Sequence, residues 1–249
     1  MLVDEENACH LKPQIAMPTR TEIAQAAAAG LRHFASTIQD TPVLIGFDGF
    51  VDSIIAVVDK RHDVDHYDPV HTLKDFGQRI VDSAGRSSNV ELVTKLEKLG
   101  GNGPIMANAM ATAGFDGNYI GPLGEGVIHP VFNEFAQIAK VHSIADPAHT
   151  DALEFDDGKL MLGKHASLRH VNQKTIDEHL GRQVYVELIR QTKFLGMVNW
   201  TMLTKLNTIW EALIEEVLPE MDNSRMIFID LADPSKRTDK DLAQAMELT

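Results

Sequence analysis

The apolar and polar positions divide the chain into segments of two periods. TRTE at 19–22 has the form of a capping box, and Ile23, Ala27, Leu31, Phe34 and Ile38 then recur at helical spacing. A helix is predicted there, closed by Asp40, Thr41 and Pro42. VLIGF at 43–47 is apolar without interruption, as in a parallel strand covered on both faces. Helix and strand periods then alternate: a helix in GPIMANAMATAG, a strand at NYIG, a helix in HPVFNEFAQIAK with Val131, Phe135 and Ile138 on one face, and a strand at VHSI. TIDE at 175–178 reads as a second capping box, with Leu180, Val184 and Leu188 continuing its helix to a strand at KFLGMV. A helix in TIWEALIEEVL, a strand at MIFIDL and a last helix in TDKDLAQAMELT, with Leu242 and Met246 on one face, follow. This alternation predicts an α/β fold around a mainly parallel central sheet.

Two stretches break the rhythm. One is DGFVDSIIAVVDKR, joined later by SSNVELV; the other is DALEFDDGKLMLG, where Asp156, Asp157 and Gly158 form a hairpin signal. They are read as a small separate β-sheet, a lid with segments near 50–60, 88–94 and 151–163, within a single α/β domain over 1–249. Residues 60–72, rich in Asp and His, read as an exposed connection.

Composition narrows the function classes. With 23 Lys and Arg against 36 Asp and Glu, the net charge is −13, which excludes a broad basic surface for nucleic acid. The single cysteine, Cys9, rules out a disulfide scaffold or a cysteine zinc site and suits a reducing, cytoplasmic compartment. The acidic start MLVDEENACHLK lacks the apolar core of a secretory signal, and no apolar run reaches the length of a membrane span.

Candidate chemistry lies in GFDGFVDSI, in GGNGPIMANAMATAG, in GNYIGPLG and in the hairpin ALEFDDGKLML, in that order. This order resembles the ribokinase-like (PfkB) carbohydrate kinases, from residue 43 to residue 237. The resemblance implies a three-layer α/β domain with a small β-sheet lid and a sugar between them. It implies that Asp52 and Asp48 accept from sugar hydroxyls, that Gly49 lets the backbone come close, and that Gly100 and Gly101 turn beneath the sugar with Asn102 beside them; Asn199, at a strand end, is a further candidate. It also implies ATP with Mg2+ as phosphoryl donor and a sugar or nucleoside as acceptor; separately, lid strands with free edges suit a homodimer. The residue types suit a polyol. A carboxylate accepts from two hydroxyls, asparagine both donates and accepts, and glycine opens the main chain. A helix starting at the glycines is expected to offer unpaired N–H groups.

Two departures stand out. Ile105 occupies the place where the family carries an asparagine, with Asn108 three residues further on. The family's late Gly-x-Gly-Asp, whose helix start holds the phosphoryl group and whose aspartate is the base, is absent from the sequence; GFDG, DDGK and GPLGEG have other forms, and no catalytic base is assigned. Two readings follow: the N-terminal portion of a longer sugar kinase, or a non-catalytic sugar-binding or sensing relative. The first is preferred, because an unfinished apolar sheet edge is a poor end point. A Rossmann-type oxidoreductase is the third reading, although GPLGEG lacks the Gly-x-Gly-x-x-Gly spacing. His62, His66 and His71 sit in a polar stretch without a fixed frame and are not read as a metal site. Asp230 and Asp233 end a strand, where they either face a cleft or cap a helix; Trp200 and Trp210 read as core.

Overall fold

The uninterrupted run near residue 43 becomes the middle of a sheet covered on both faces. The structure, a computed structural model, describes residues 17–221 and 224–249; Cys9 and the acidic start lie outside them. Two units divide between Ile38 and Gln39. The first carries helix α1 (Arg20–Ala35), whose capping box is formed: Thr19 Oγ1 accepts from Glu22 N at 3.2 Å and the Glu22 carboxylate accepts from Thr19 N at 2.7 Å. The Thr19 N–H and the Thr19 hydroxyl, both donating to the Glu22 carboxylate, hold that carboxyl below its ordinary pKa. Ile38 is not on this helix, as its spacing predicts, but starts a separate 3-10 turn, Ile38–Asp40.

In the second unit, strands β1 (Pro42–Gly46), β2 (Phe50–Arg61) and β3 (Tyr67–Pro69) precede helix α2 (Leu73–Asp82). Strand β4 (Leu92–Gly100), helix α3 (Asn102–Ala113), strand β5 (Asp116–Gly121), helix α4 (Asn133–Ile138) and strand β6 (Lys140–Ser143) follow. The hairpin β7 (Ala148–Phe155) and β8 (Gly158–Lys164) leads to α5 (Gln173–His179), α6 (Arg182–Gln191), β9 (Phe194–Met197), α7 (Leu206–Ala212), β10 (Met226–Ile229) and α8 (Asp239–Leu248). The order β10-β9-β1-β5-β6 is parallel at every pairing. Leu44, Ile120 and Leu195 face one apolar core with α5 to α8, including the buried Trp200 and Trp210; Ile45 and Tyr119 face another with α3 and α4. Alternate side chains of each strand thus feed opposite layers.

The second sheet runs β3-β2-β7-β8, with β4 also paired to β2. Asp156 and Asp157 form its tight turn, and Asp157 Oδ1 accepts from Leu73 N at 2.8 Å, fastening the hairpin tip to the start of α2.

Several expectations are corrected. The stretch 60–72 is not a plain connection, because it contains β3 and ends at Thr72, the cap of the unforeseen helix α2, whose Phe76 is buried. Thr175 does not cap: Asn172 accepts from Thr175 N at 3.1 Å, and Gly181 at φ 86° splits the expected helix into α5 and α6. Ile138 and Met246 are exposed, so the apolar faces of α4 and α8 run through Phe135 and through Leu242 and Ala245 instead. The three histidines do not converge: His62 pairs with Asp68, His66 with Asp63 and His71 with Asp156. No helix among the described residues is long and apolar enough to cross a membrane.

Candidate sugar-binding site

Parallel strands leave their C-terminal ends at one edge of the sheet, and in open α/β folds that edge is where ligands are held. Here the edge gathers Asp48 after β1, Asn199 after β9 and Asp230 after β10, together with the first turn of α3. Asp48 is sealed from solvent. Its Oδ1 accepts from Gly103 N at 2.7 Å; its Oδ2 accepts from Asn102 N at 3.0 Å and from Asn199 Nδ2 at 2.5 Å. Tyr119 donates its hydroxyl to the Asp48 carbonyl. Burial pushes the Asp48 carboxyl up to about 6; the Asn199, Gly103 and Asn102 donors oppose the shift, and nearby Asp230 adds to it.

This corrects two expectations at once. Asp48 does not present a free carboxylate to a hydroxyl, because three protein donors fill it and it has no exposure. Nor does α3 offer bare N–H groups: Asn102 and Gly103 give theirs to Asp48, Pro104 has none, and Ile105 N bonds Gly101 O at 3.1 Å. The glycines are required all the same. Gly101 has φ 95°, the left-handed region, and a Cβ there would lie 3.1 Å from Asp48 Oδ2 and Phe50 Cδ2. A Cβ on Gly49 would lie 2.3 Å from the Pro122 carbonyl.

The second sheet brings Asp52 to the same place. Asp52 lies on β2 opposite Lys98 of β4, and a Cβ on Gly100 would stand 2.4 Å from its carboxylate. Half burial raises the Asp52 pKa, against a hydrogen bond from Thr150 and the charges of Lys98 and Lys159. Thr150 and the two lysines went unnoticed in the sequence. The register of β2 with β4 sets Lys98 opposite Asp52, and Lys159, on β8 of the lid hairpin, reaches it by charge.

Asn102 is exposed, and its Nδ2 donates to Asp230 Oδ2 at 2.7 Å. Asp230 Oδ2 also accepts from Asn199 N at 3.4 Å. Asp48, Asn102, Asp230 and Asn199 therefore close a ring of hydrogen bonds across three strand ends and one helix start. Asp233, the other carboxylate of that segment, turns to Ser235 Oγ at 2.6 Å and takes no part. Ile105, one turn along α3 from Asn102, is exposed. Carboxylates at the helix start balance its positive end, so this edge suits a neutral, hydroxyl-rich ligand better than a phosphate.

Residues 19–248 match the family model described as Khk, prokaryotic ketohexokinase. The ketohexokinase of Haloferax volcanii is 31% identical over 208 residues, which cover 82% of this chain and 55% of that protein; the chain spans about half the length of this relative. A ribokinase structure from Giardia lamblia shares the fold at a TM-score of 0.52 and 11% identity, over 84% of this chain and 56% of that one. A carbohydrate kinase structure from Agrobacterium tumefaciens does so at 0.50 and 16%, over 79% and 55%.

Proposed function

The chain belongs to the prokaryotic ketohexokinase family, and on that premise we propose that it forms the sugar-binding part of a kinase transferring the γ-phosphoryl group of ATP to a ketohexose hydroxyl. The observation that carries this reading is that Asp52, on β2, stands against Gly100 at the end of its partner strand β4, where the second sheet runs through Gly101 and Asn102 into α3 at the edge of the first. Asp52 accepts from sugar hydroxyls, Asn102 supplies a polar side chain beside it, and closure of the second sheet over the ring excludes water, limiting wasteful hydrolysis of ATP.

The nucleotide is a second substrate and enters as its magnesium complex, the metal bridging phosphate oxygens. The start of α3 does not suit those phosphates, since Asp48 already takes its N–H groups. In this reading the phosphoryl-binding helix and the base come from the portion of the relatives that lies beyond this span. Pairing of two copies through the second sheet is supported by exposed Leu96 and Met161, which share a face with Ile54; sedentation of the purified chain by ultracentrifugation tests it.

Calorimetric titration with D-fructose, an aldohexose, ribose and adenosine tests the central claim. The ketohexose is expected to bind saturably, and Asp52→Ala to weaken it about tenfold, the loss of one charge-assisted hydrogen bond. A folded chain that takes up none of these compounds overturns the reading.

A further inference from the structure

Asp230 has two oxygens with different duties. Oδ1 accepts from Ala232 N at 2.8 Å, a local turn of the kind any aspartate makes after a strand. Oδ2 reaches Asn102 Nδ2, 128 positions away, and is steadied by Asn199 N. A turn-capping aspartate needs only the first oxygen. Ala232 at φ 57° holds left-handed backbone that a residue with a plain Cβ rarely adopts, Asn199 at φ 65° lies in the same region, which asparagine tolerates, and both conformations accompany the N–H contacts to this carboxylate.

We propose that Asp230 is a positioning residue that fixes the side-chain amide of Asn102, so that Asn102 presents its carbonyl oxygen, and hence an acceptor, to the sugar. The proposal rests on the sugar-kinase reading above. An ionised carboxylate only accepts, so the amide must turn its NH2 toward Asp230, leaving Oδ1 on the other side. The Asn102 side chain makes this one protein hydrogen bond among the described residues and is otherwise exposed. The site then selects a ligand hydroxyl able to donate at that point. Asp52 and Asn102 are both acceptors toward the ring, which matches a polyol and rejects an analogue with fluorine in place of the donating hydroxyl.

An exchange of the pair tests this. In Asp230→Asn the new amide keeps its oxygen on Ala232 N–H and turns its NH2 to Asn102, donor against donor. Asn102 must then flip, and D-fructose affinity is expected to fall about tenfold, the effect of one misdirected hydrogen bond. Asn102→Asp alone sets two carboxylates face to face and is also expected to lose affinity. The exchanged pair, Asn102→Asp with Asp230→Asn, restores one donor facing one acceptor and still shows an oxygen to the sugar, so affinity is expected to recover most of the loss. A merely structural role for Asp230 predicts no such rescue, and failure of the exchanged pair to exceed both single variants overturns the proposal. The NH2 resonances of Asn102, followed by NMR without sugar, give a second readout. Slow hydrogen exchange in the wild type that is lost in Asp230→Asn supports the clamp; fast exchange in the wild type overturns it. A wild-type chain that binds no sugar yet shows the protected amide removes the function reading and the ligand role while leaving the clamp itself supported.

Discussion

Asp48 and Asn102 stand 54 positions apart, and the carboxylate of the first receives the backbone N–H of the second at 3.0 Å. The bond ties the end of the middle strand to the start of the helix that floors the candidate site. With Gly103 N and Asn199 Nδ2 on the same carboxylate, one buried side chain sets the positions of three separate segments.

Asp48→Ala is therefore expected to be severely destabilising. It strands buried donors on Gly103 and Asn199, each costing about 1–3 kcal/mol. Urea denaturation of the purified chain measures it; a loss below about 0.5 kcal/mol, within the range of ordinary surface changes, would show that the ring does not hold the edge together.

The pH dependence has a definite sign. The folded Asp48 carboxyl, raised to about 6 from an ordinary 3.8, binds its proton more tightly than in the unfolded chain. Its contribution to stability is full below the unfolded value and is lost as pH rises through about 6. Relative to Asp48→Asn, the wild type should lose stability across that interval. NMR titration of the Asp48 carboxyl should give the matching midpoint, and a midpoint below 3.8 would contradict the dominance of burial.

Two glycines should respond differently to alanine. At Gly100 the new methyl meets the Asp52 carboxylate, a side chain that can swing away, so sugar affinity should drop while stability changes little. At Gly49 it meets the Pro122 backbone, which cannot yield, so stability should fall by about 1–3 kcal/mol. Paired thermal melts and sugar titrations separate the two; equal behaviour of both variants would refute the distinction.

Sugar binding should also weaken on acidification. Protonation of Asp52 removes an acceptor, and half burial places that event above the ordinary carboxylate value. Asp52→Asn should bind weakly at every pH and show a flatter profile. Calorimetry across the acid range decides it, and parallel profiles for both proteins would clear Asp52 of the effect.

Local patterns were legible where a single strong signal had its partner within a few residues. Thr19 and Glu22 announce α1, and Asp156, Asp157 and Gly158 announce the hairpin, because a cap and a two-residue turn are closed by their own neighbours. Where two local solutions competed, sequence could not choose. Asn172 and Thr175 are both good caps, and the break at Gly181 favoured a short helix starting at the earlier one. Helix α2 was missed although Thr72 caps it, since a polar surround masked the single buried Phe76.

By itself, the sequence determined an alternation of strand and helix, a parallel central sheet, and a glycine turn at the mouth of α3, all consequences of residue period and backbone freedom. Only the tertiary structure decided what the aspartates do. Asp48 and Asp52 look alike in GFDGFVD, yet Asp48 is swallowed by donors from two distant segments while Asp52 lies half open against Gly100. The reason is physical: a carboxylate's role is set by the donors and the solvent around it, and chain folding supplies both from far along the sequence.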